Sequence, residues 1–262
     1  MQWRSVEIRF CDRRLYTGGM TQMAIFGKNL RASAVAVVAG VGFLAAGMAW
    51  AEVDQGSVAR GGTLYDKWYK VVKAEAPKES HPFYPAANEK YAADAANNWR
   101  CKECHGWDGL GKDGAYSSGS HATGIIGING MAGGDPAAVV ALLKGDHGYG
   151  DKLAEEDLVD LANFVVYGQV DLAPYVDLAT KASKGDAVAG GQVYNTVCSH
   201  CHGADGMLPK GMPPLGSLVG NPQEVMHKIL NGQPAETMPA LRAIDHQVSA
   251  DVLAFLATLP AQ

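Results

Sequence analysis

The sequence predicts an all-α fold made of two similar halves. Apolar residues recur at helical spacing in four segments, and these segments form two matching pairs along the chain. No part of the chain shows the alternation of strands and helices typical of α/β proteins. Of the 262 residues, 47% are hydrophobic and 19% are charged, a balance typical of a folded protein of one or two domains.

The first matching pair of segments spans residues 135–145 and 221–232. Each begins with Asp or Asn followed by Pro and ends with Gly. Asp and Asn are natural N-caps, Pro suits the first helical turn, and Gly closes a helix C-terminus. Both segments are therefore predicted to be helices.

The second pair spans residues 156–165 and 249–259, with Phe164 and Phe255 as corresponding aromatic residues. A further helix is predicted at residues 185–194. The residues predicted to face the core are Leu158, Leu161, Ala162 and Val165 in one segment, and Val252, Phe255, Leu256 and Leu259 in the other.

The N-terminus has the pattern of a leader. Basic residues precede an uncharged apolar run at residues 32–49, and a small-x-small cleavage pattern follows at residues 49–51. We expect residues 1–51 to be a secretory signal peptide, with Met20 and Met23 as alternative starts. The rival interpretation is an uncleaved membrane anchor, because the run approaches the roughly 20 residues that span a bilayer. Either interpretation places the mature part outside the cytoplasm, in the periplasm or an equivalent compartment.

The cysteines form a repeated motif. Cys11 lies in the leader, and the other four occur in two C-x-x-C-H-G sequences, at residues 101–106 and 198–203. Thiols three residues apart lie on nearly the same side of a helical turn, so both can form thioethers to one porphyrin edge, and the next histidine can ligate the iron. Two covalently bound haem c groups are therefore predicted. The attachment residues are Cys101, Cys104, Cys198 and Cys201, and the iron-ligating histidines are His105 and His202.

Two other interpretations compete with haem. A zinc site would need cysteine pairs that lie 97 residues apart in the chain to meet, and would leave the repeated histidine unexplained. A thioredoxin-like dithiol needs a βαβ surround, which the pattern does not indicate.

The order of helix, C-x-x-C-H-G, irregular loops, helix, ligand loop and terminal helix resembles the class I cytochrome c domain. The resemblance implies two tandem class I domains, at residues 88–168 and 185–262, joined by a linker at residues 169–184. The arrangement is similar to dihaem carriers such as cytochrome c4. Residues 52–87 lie outside this pattern, and we expect a helical N-terminal extension that packs over the first domain.

The resemblance also implies a sixth ligand for each iron. Met238, in a Met-Pro pair ahead of the last helix, matches the usual methionine of the family. It lies 17 residues before Phe255, and the residue 17 before Phe164 is His147. His147 is therefore the candidate sixth ligand of haem 1. Two alternatives stay open there, namely Met131 and His121.

Function follows from these expectations. Without residues 1–51 the net charge is −9, with sixteen basic and twenty-five acidic side chains. This charge argues against nucleic acid and favours redox partners, a donor and an acceptor, with a basic docking face, although solubility explains it equally well.

We expect an electron carrier, not an enzyme, with the methionine-ligated haem at the higher potential. The alternatives are a dihaem oxidoreductase acting on a sulfur compound or peroxide at haem 1, or an electron-transfer subunit of a larger enzyme.

Overall fold

The computed structural model describes residues 53–262, and its regular structure is helical, as the sequence predicts. The leader expected at residues 1–51 lies outside the described residues. None of the helices within 53–262 is long and apolar enough to cross a membrane. The α-helices are α1 Gln55–Val71, α2 Ala95–Asn98, α3 Cys101–His105, α4 Pro136–Lys144, α5 Glu155–Tyr167, α6 Ala187–Val193, α7 Ser199–His202, α8 Leu215–Leu218, α9 Pro222–Asn231 and α10 His246–Leu256, with a 3₁₀ turn at Asn129–Met131 and a π-helical segment at Tyr194–Cys198.

The two matching pairs of predicted helices are confirmed as α4 with α9 and α5 with α10. Asp135 caps α4 as predicted, because its carboxylate accepts a hydrogen bond from the Ala137 amide. Asn221 precedes α9 but makes no such cap bond. Its side-chain amide instead donates to the Glu224 carboxylate at 2.9 Å. Both predicted N-cap residues lie at the N-cap position, but only Asp135 of α4 forms the capping hydrogen bond.

The buried apolar residues form two core clusters, one in each half of the chain. The first, between residues 53 and 168, joins α1, α4 and α5 and includes all the core positions predicted on α5. The second, between residues 169 and 262, joins α6, α9 and α10. Leu172 and Val176, from the predicted linker, are buried in the second core. That segment therefore contributes to packing.

The same close helix crossing holds each half together. α1 packs on α5, and α6 packs on α10. A Cβ atom at Gly61 would overlap the Asp160 carbonyl oxygen, and one at Gly190 would overlap the Asp251 carbonyl oxygen. Glycine is thus required at both crossings because the two backbones touch. α1, which we expected to lie outside the repeat, occupies in the first half the position that α6 occupies in the second.

Each of these helices is interrupted just after a matching tyrosine. Lys67, two residues after Tyr65, has non-helical dihedral angles of −155° and 74°, and the π-helical segment begins at Tyr194. In the second half the chain runs through this segment directly to Cys198. In the first half an inserted segment, residues 66–100, separates Tyr65 from the first attachment cysteine. The insertion is the main structural difference between the two halves.

The helix crossing generates a testable prediction. Gly190→Ala is expected to lower the free energy of unfolding by about 1–3 kcal/mol, because the added methyl group forces α6 away from α10. Urea denaturation followed by circular dichroism at 222 nm measures this change. Gly220→Ala is the matched control, since a Cβ at Gly220 meets nothing within 4 Å. Equal midpoints for the two variants would contradict the crossing as described.

Candidate haem-attachment sites

Both C-x-x-C-H-G motifs adopt the same local structure. The first forms α3, and the second runs from the end of the π-helical segment through α7. All four cysteines are free thiols. The glycine that ends each motif, Gly106 or Gly203, has a positive φ of 80° or 75°, a conformation that glycine adopts without strain. Each motif is thus a single helical turn with two available thiols.

The histidine of each motif is oriented by a backbone carbonyl. His105 Nδ1 lies 2.7 Å from the Ile126 oxygen, and His202 Nδ1 lies 3.3 Å from the Leu208 oxygen. A carbonyl only accepts hydrogen bonds, so Nδ1 carries the proton and donates, and Nε2 is left with its lone pair. This is the tautomer that a metal-ligating histidine needs.

A tyrosine hydroxyl secures the end of each motif. Tyr65 donates to the Gly106 carbonyl and Tyr194 donates to the Gly203 carbonyl, both at 2.6 Å. Each tyrosine ring also packs against the corresponding phenylalanine, Phe164 or Phe255, with ring centres 5.1 Å apart in both halves. The same two contacts therefore join the N-terminal helix, the motif and the C-terminal helix in each half.

The two cysteine pairs do not meet as a zinc site, and the first pair does not have the properties of a reactive dithiol. Burial raises the pKa of Cys101 to about 11 and that of Cys104 to about 12, so both thiols stay protonated at neutral pH. Within residues 53–262, no three His, Cys, Asp or Glu side chains are grouped as a metal site. The geometry therefore does not support the zinc and dithiol interpretations.

His147, the predicted sixth ligand of the first half, lies beside His105. Their ring centres are 6.3 Å apart. An imidazole nitrogen binds a transition metal at about 2.0 Å, so two imidazoles on opposite sides of one iron have ring centres roughly 6 Å apart. Buried His147 Nδ1 has no hydrogen-bond partner among the described residues. These two residues thus fit a haem iron between them.

The two alternative ligands of the first half make other contacts. His121 stacks between the rings of Tyr91 and Tyr116, each 4.8 Å away. Its Nδ1 is 2.8 Å from the Glu103 carboxylate, and its Nε2 is 3.4 Å from the Tyr91 hydroxyl. Met131 packs at the edge of the first core. Both ring nitrogens of His121 are therefore engaged, unlike those of His147.

Met238 lies in the loop between α9 and α10 and is half-buried. The loop turns at Gly232, which has a φ of 88°, and a Cβ there would lie 2.8 Å from the Met238 carbonyl oxygen. The backbone at Gly232 therefore lies close to the backbone at Met238, and a side chain at residue 232 would displace the loop. Met238 stays the predicted sixth ligand of the second half.

Exposed apolar side chains accompany both motif histidines. Ile126 and Leu208, whose carbonyls orient these histidines, are 66% and 42% exposed. Val197 and Met207 flank the second motif and are 38% and 36% exposed. Covering these side chains with an apolar group such as porphyrin would remove them from water, which is favourable.

Two features of the sites were missed in the sequence. The tyrosines follow Gly-Gly-x-x-Tyr sequences at residues 61–65 and 190–194. The repeated Gly-Gly-x-x-Tyr sequence could have identified the two tyrosines. It is hard to recognise because the inserted segment separates the first copy from its C-x-x-C-H-G motif. His81, which lies beside His147, carries no sequence signal that separates it from a solvated histidine.

The fold and the second site define a class of protein. Residues 185–256 match the family model described as cytochrome c oxidase, cbb3-type, subunit III. These residues are a cytochrome c domain, and the domain implies covalently bound haem c and a role in electron transport.

The other comparisons add a distant likeness. The chain is similar to a chain of the Kuenenia stuttgartiensis reducing HAO-like protein complex, with 14% identity and a TM-score of 0.30 over 70% of this chain and 98% of that chain. No curated protein matches.

A polar seam joins α1 to α9, between the two cores. His227 Nε2, on α9, is 2.9 Å from the Gly62 carbonyl oxygen of α1. Asp66 is buried between the guanidinium of Arg100 and the ammonium of Lys228. Burial alone would raise the pKa of Asp66, but these two cations outweigh burial and hold that pKa below its ordinary value. The first attachment site is thus tied to a helix of the second core through Arg100.

His227 makes the stability of this seam depend on pH. Burial lowers the pKa of His227 from 6.5 to about 4. Between these values the unfolded chain binds a proton that the folded chain does not, so stability falls as pH drops from 6.5 towards 4. His227→Gln keeps an amide donor for the Gly62 carbonyl. Between pH 7 and pH 4, its free energy of unfolding is expected to fall by about 3 kcal/mol less than that of the wild type.

Urea denaturation at pH 7 and pH 4 measures the difference between wild type and His227→Gln. His200→Gln, at an exposed position, should keep the wild-type pH dependence. An unchanged pH dependence in His227→Gln would show that His227 is not the group responsible.

Proposed function

We propose that the protein is an exported dihaem c-type cytochrome that carries electrons between redox partners. One observation carries the proposal: the two halves share a motif turn, an oriented histidine and a tyrosine-to-glycine hydrogen bond, although the family model matches the second half alone. A haem site in the second half thus has a counterpart in the first.

The cysteine pairs attach the two haems, Cys101 and Cys104 in the first half, and Cys198 and Cys201 in the second. Haem, when bound, supplies an iron that gains and loses one electron. The protein's part is to hold each porphyrin edge through two thioethers and to present an imidazole whose tautomer is already set. The two carbonyls at Ile126 and Leu208 set that tautomer.

The two irons differ in their sixth ligand in this proposal. The distance between the His105 and His147 rings supports bis-histidine ligation in the first half. Loop position and the adjacent proline support His202 with Met238 in the second half. A thioether in place of imidazole raises the reduction potential. The second haem is then the high-potential site, and the first is the entry point for electrons.

The packing of α1 also bears on the domain boundaries. Because α1 crosses α5 as α6 crosses α10, we infer that the first haem domain begins near residue 55 instead of residue 88. Residues 66–100 are then an insertion within that domain. The predicted linker at residues 169–184 supplies side chains to the second core.

An electron carrier needs both irons to stay six-coordinate, and the contacts of the first half favour this state. His121, the residue best placed by sequence for an open catalytic site, is held by Glu103 and two tyrosines. The net charge of −9 without the leader supports partners with a basic docking face. The leader pattern supports export to the periplasm.

Haem count tests the first part of the proposal. The wild type is expected to contain two covalent haems per chain, measured by pyridine haemochrome absorbance and intact mass. Cys101→Ser/Cys104→Ser and Cys198→Ser/Cys201→Ser should each retain one, since the two attachment sites lie on separate helical turns. One haem in the wild type, or the loss of both in either double variant, would contradict the proposal.

Ligand identity tests the second part. His147→Ala is expected to convert one haem from low spin to high spin and to leave the other unchanged, and Met238→Ala should do the reverse. Electron paramagnetic resonance of the ferric protein measures both effects. Redox titration of the two single-haem variants is expected to give the higher potential to the second haem. Met131→Ala is the control, because Met131 packs at the core edge and should leave both spectra unchanged.

A further inference from the structure

The inserted segment of the first half, residues 66–100, brings a buried histidine to the proposed ligand loop. His81 is 6% exposed. Its ring packs edge-on against Trp99, with centres 4.3 Å apart, and its centre lies 6.5 Å from that of His147. The second half has no counterpart, because three residues separate Tyr194 from Cys198.

The hydrogen bonds of His81 define its tautomer. The Phe83 amide lies 3.2 Å from His81 Nδ1 and donates to it, so Nδ1 has no proton and Nε2 carries one. Nε2 lies 3.3 Å from the His147 carbonyl oxygen and therefore donates to it. The backbone amide of His81 in turn donates to the Asn98 side chain at 2.9 Å. His81 is thus held at its backbone and both ring nitrogens.

Trp99 connects this arrangement to the attachment site. Its indole N–H donates to the Glu79 carbonyl at 2.8 Å, and its own carbonyl accepts from Tyr149, two residues after His147, at 2.8 Å. Trp99 lies two residues before Cys101. The attachment cysteine, the inserted segment and the ligand loop are therefore linked by buried hydrogen bonds through one residue.

We propose that His81 is a positioning residue that holds His147 over the first haem iron by donating a hydrogen bond to its backbone carbonyl. The inference rests on the proposed ligation of that iron by His105 and His147. In the second half the Met238 loop is fixed by its own contact with Gly232. The loop of the first half has three residues, 146–148, between Gly145, which follows α4, and Tyr149. The His147 amide donates to the Leu142 carbonyl at 3.2 Å, and the inserted segment adds a hydrogen bond from outside the loop.

The test compares His81→Phe with His81→Gln. Phe keeps a ring against Trp99 but cannot donate, whereas the Gln amide can reach the His147 carbonyl. In His81→Phe, cyanide binding to the ferric first haem is expected to accelerate at least about tenfold, because a ligand held less firmly dissociates more often. A high-spin fraction should appear in its electron paramagnetic resonance spectrum, and His81→Gln should restore the wild-type rate and spectrum.

Matched variants separate this role from a merely structural one. Lys78→Ala, in the same inserted segment with its side chain 84% exposed, should behave as wild type. If His81→Phe does not fold, His81→Asn replaces it, because its shorter amide can satisfy Phe83 but not reach His147. The proposal is overturned if neither His81→Phe nor His81→Asn folds. It is also overturned if the variant that folds has the same spectrum and the same cyanide-binding rate as the wild type.

His147→Ala distinguishes failure of this inference from failure of the proposed function. If His147→Ala leaves the first haem low spin, the proposed ligand set is wrong. If His147→Ala produces a high-spin haem and His81→Phe does not, the ligand set holds and the positioning role alone is wrong.

Discussion

The contact between two helix backbones in each half, made at Gly61 and at Gly190, is the constraint on which both attachment sites depend. Because the N-terminal helix lies directly on the C-terminal helix, its tyrosine reaches the glycine carbonyl that ends the C-x-x-C-H-G turn. That hydrogen bond fixes the turn, and the turn fixes its two thiols and its imidazole. A side chain at either glycine would separate the helices and shift the attachment residues together.

Much of the fold could be predicted from sequence because the signals are local. The four paired helices follow from apolar spacing and their caps, and the thiol and histidine positions follow from the motif. Counting from Phe164 predicts His147 as a ligand, and in the structure its ring lies 6.3 Å from that of His105. α1 was not recognised as part of the repeat, because the inserted segment moves it away from its motif. His81 was missed because its role depends on contacts 66 residues apart in sequence.

The seam between α1 and α9 explains how charges are buried without weakening the fold. A lone buried carboxylate at Asp66 would cost several kcal/mol, but Arg100 and Lys228 neutralise it from opposite sides of the seam. Lys228 is the partner that α9 contributes, so movement of α9 away from the first attachment site would separate Lys228 from Asp66 and leave the carboxylate with Arg100 alone. His227 contributes differently: it is buried as a neutral ring, and its hydrogen bond to the Gly62 carbonyl persists while the ring stays unprotonated.

The two halves share one frame and differ in the loops attached to it, and this division has a consequence for electron transfer. The crossing helices and the tyrosine contacts are alike in both halves, whereas the hydrogen bond that orients the motif histidine is 2.7 Å in one half and 3.3 Å in the other. The proposed function assigns the difference in reduction potential to the ligand loops, with His147 as the proposed ligand in one half and Met238 in the other. The loop that carries His147 is held by its own backbone hydrogen bonds, from the His147 amide to Leu142 and from the Tyr149 amide to Leu143. The inserted segment adds the hydrogen bond from His81. Under the proposed ligation, the inserted segment is then part of what allows one frame to hold two unlike irons.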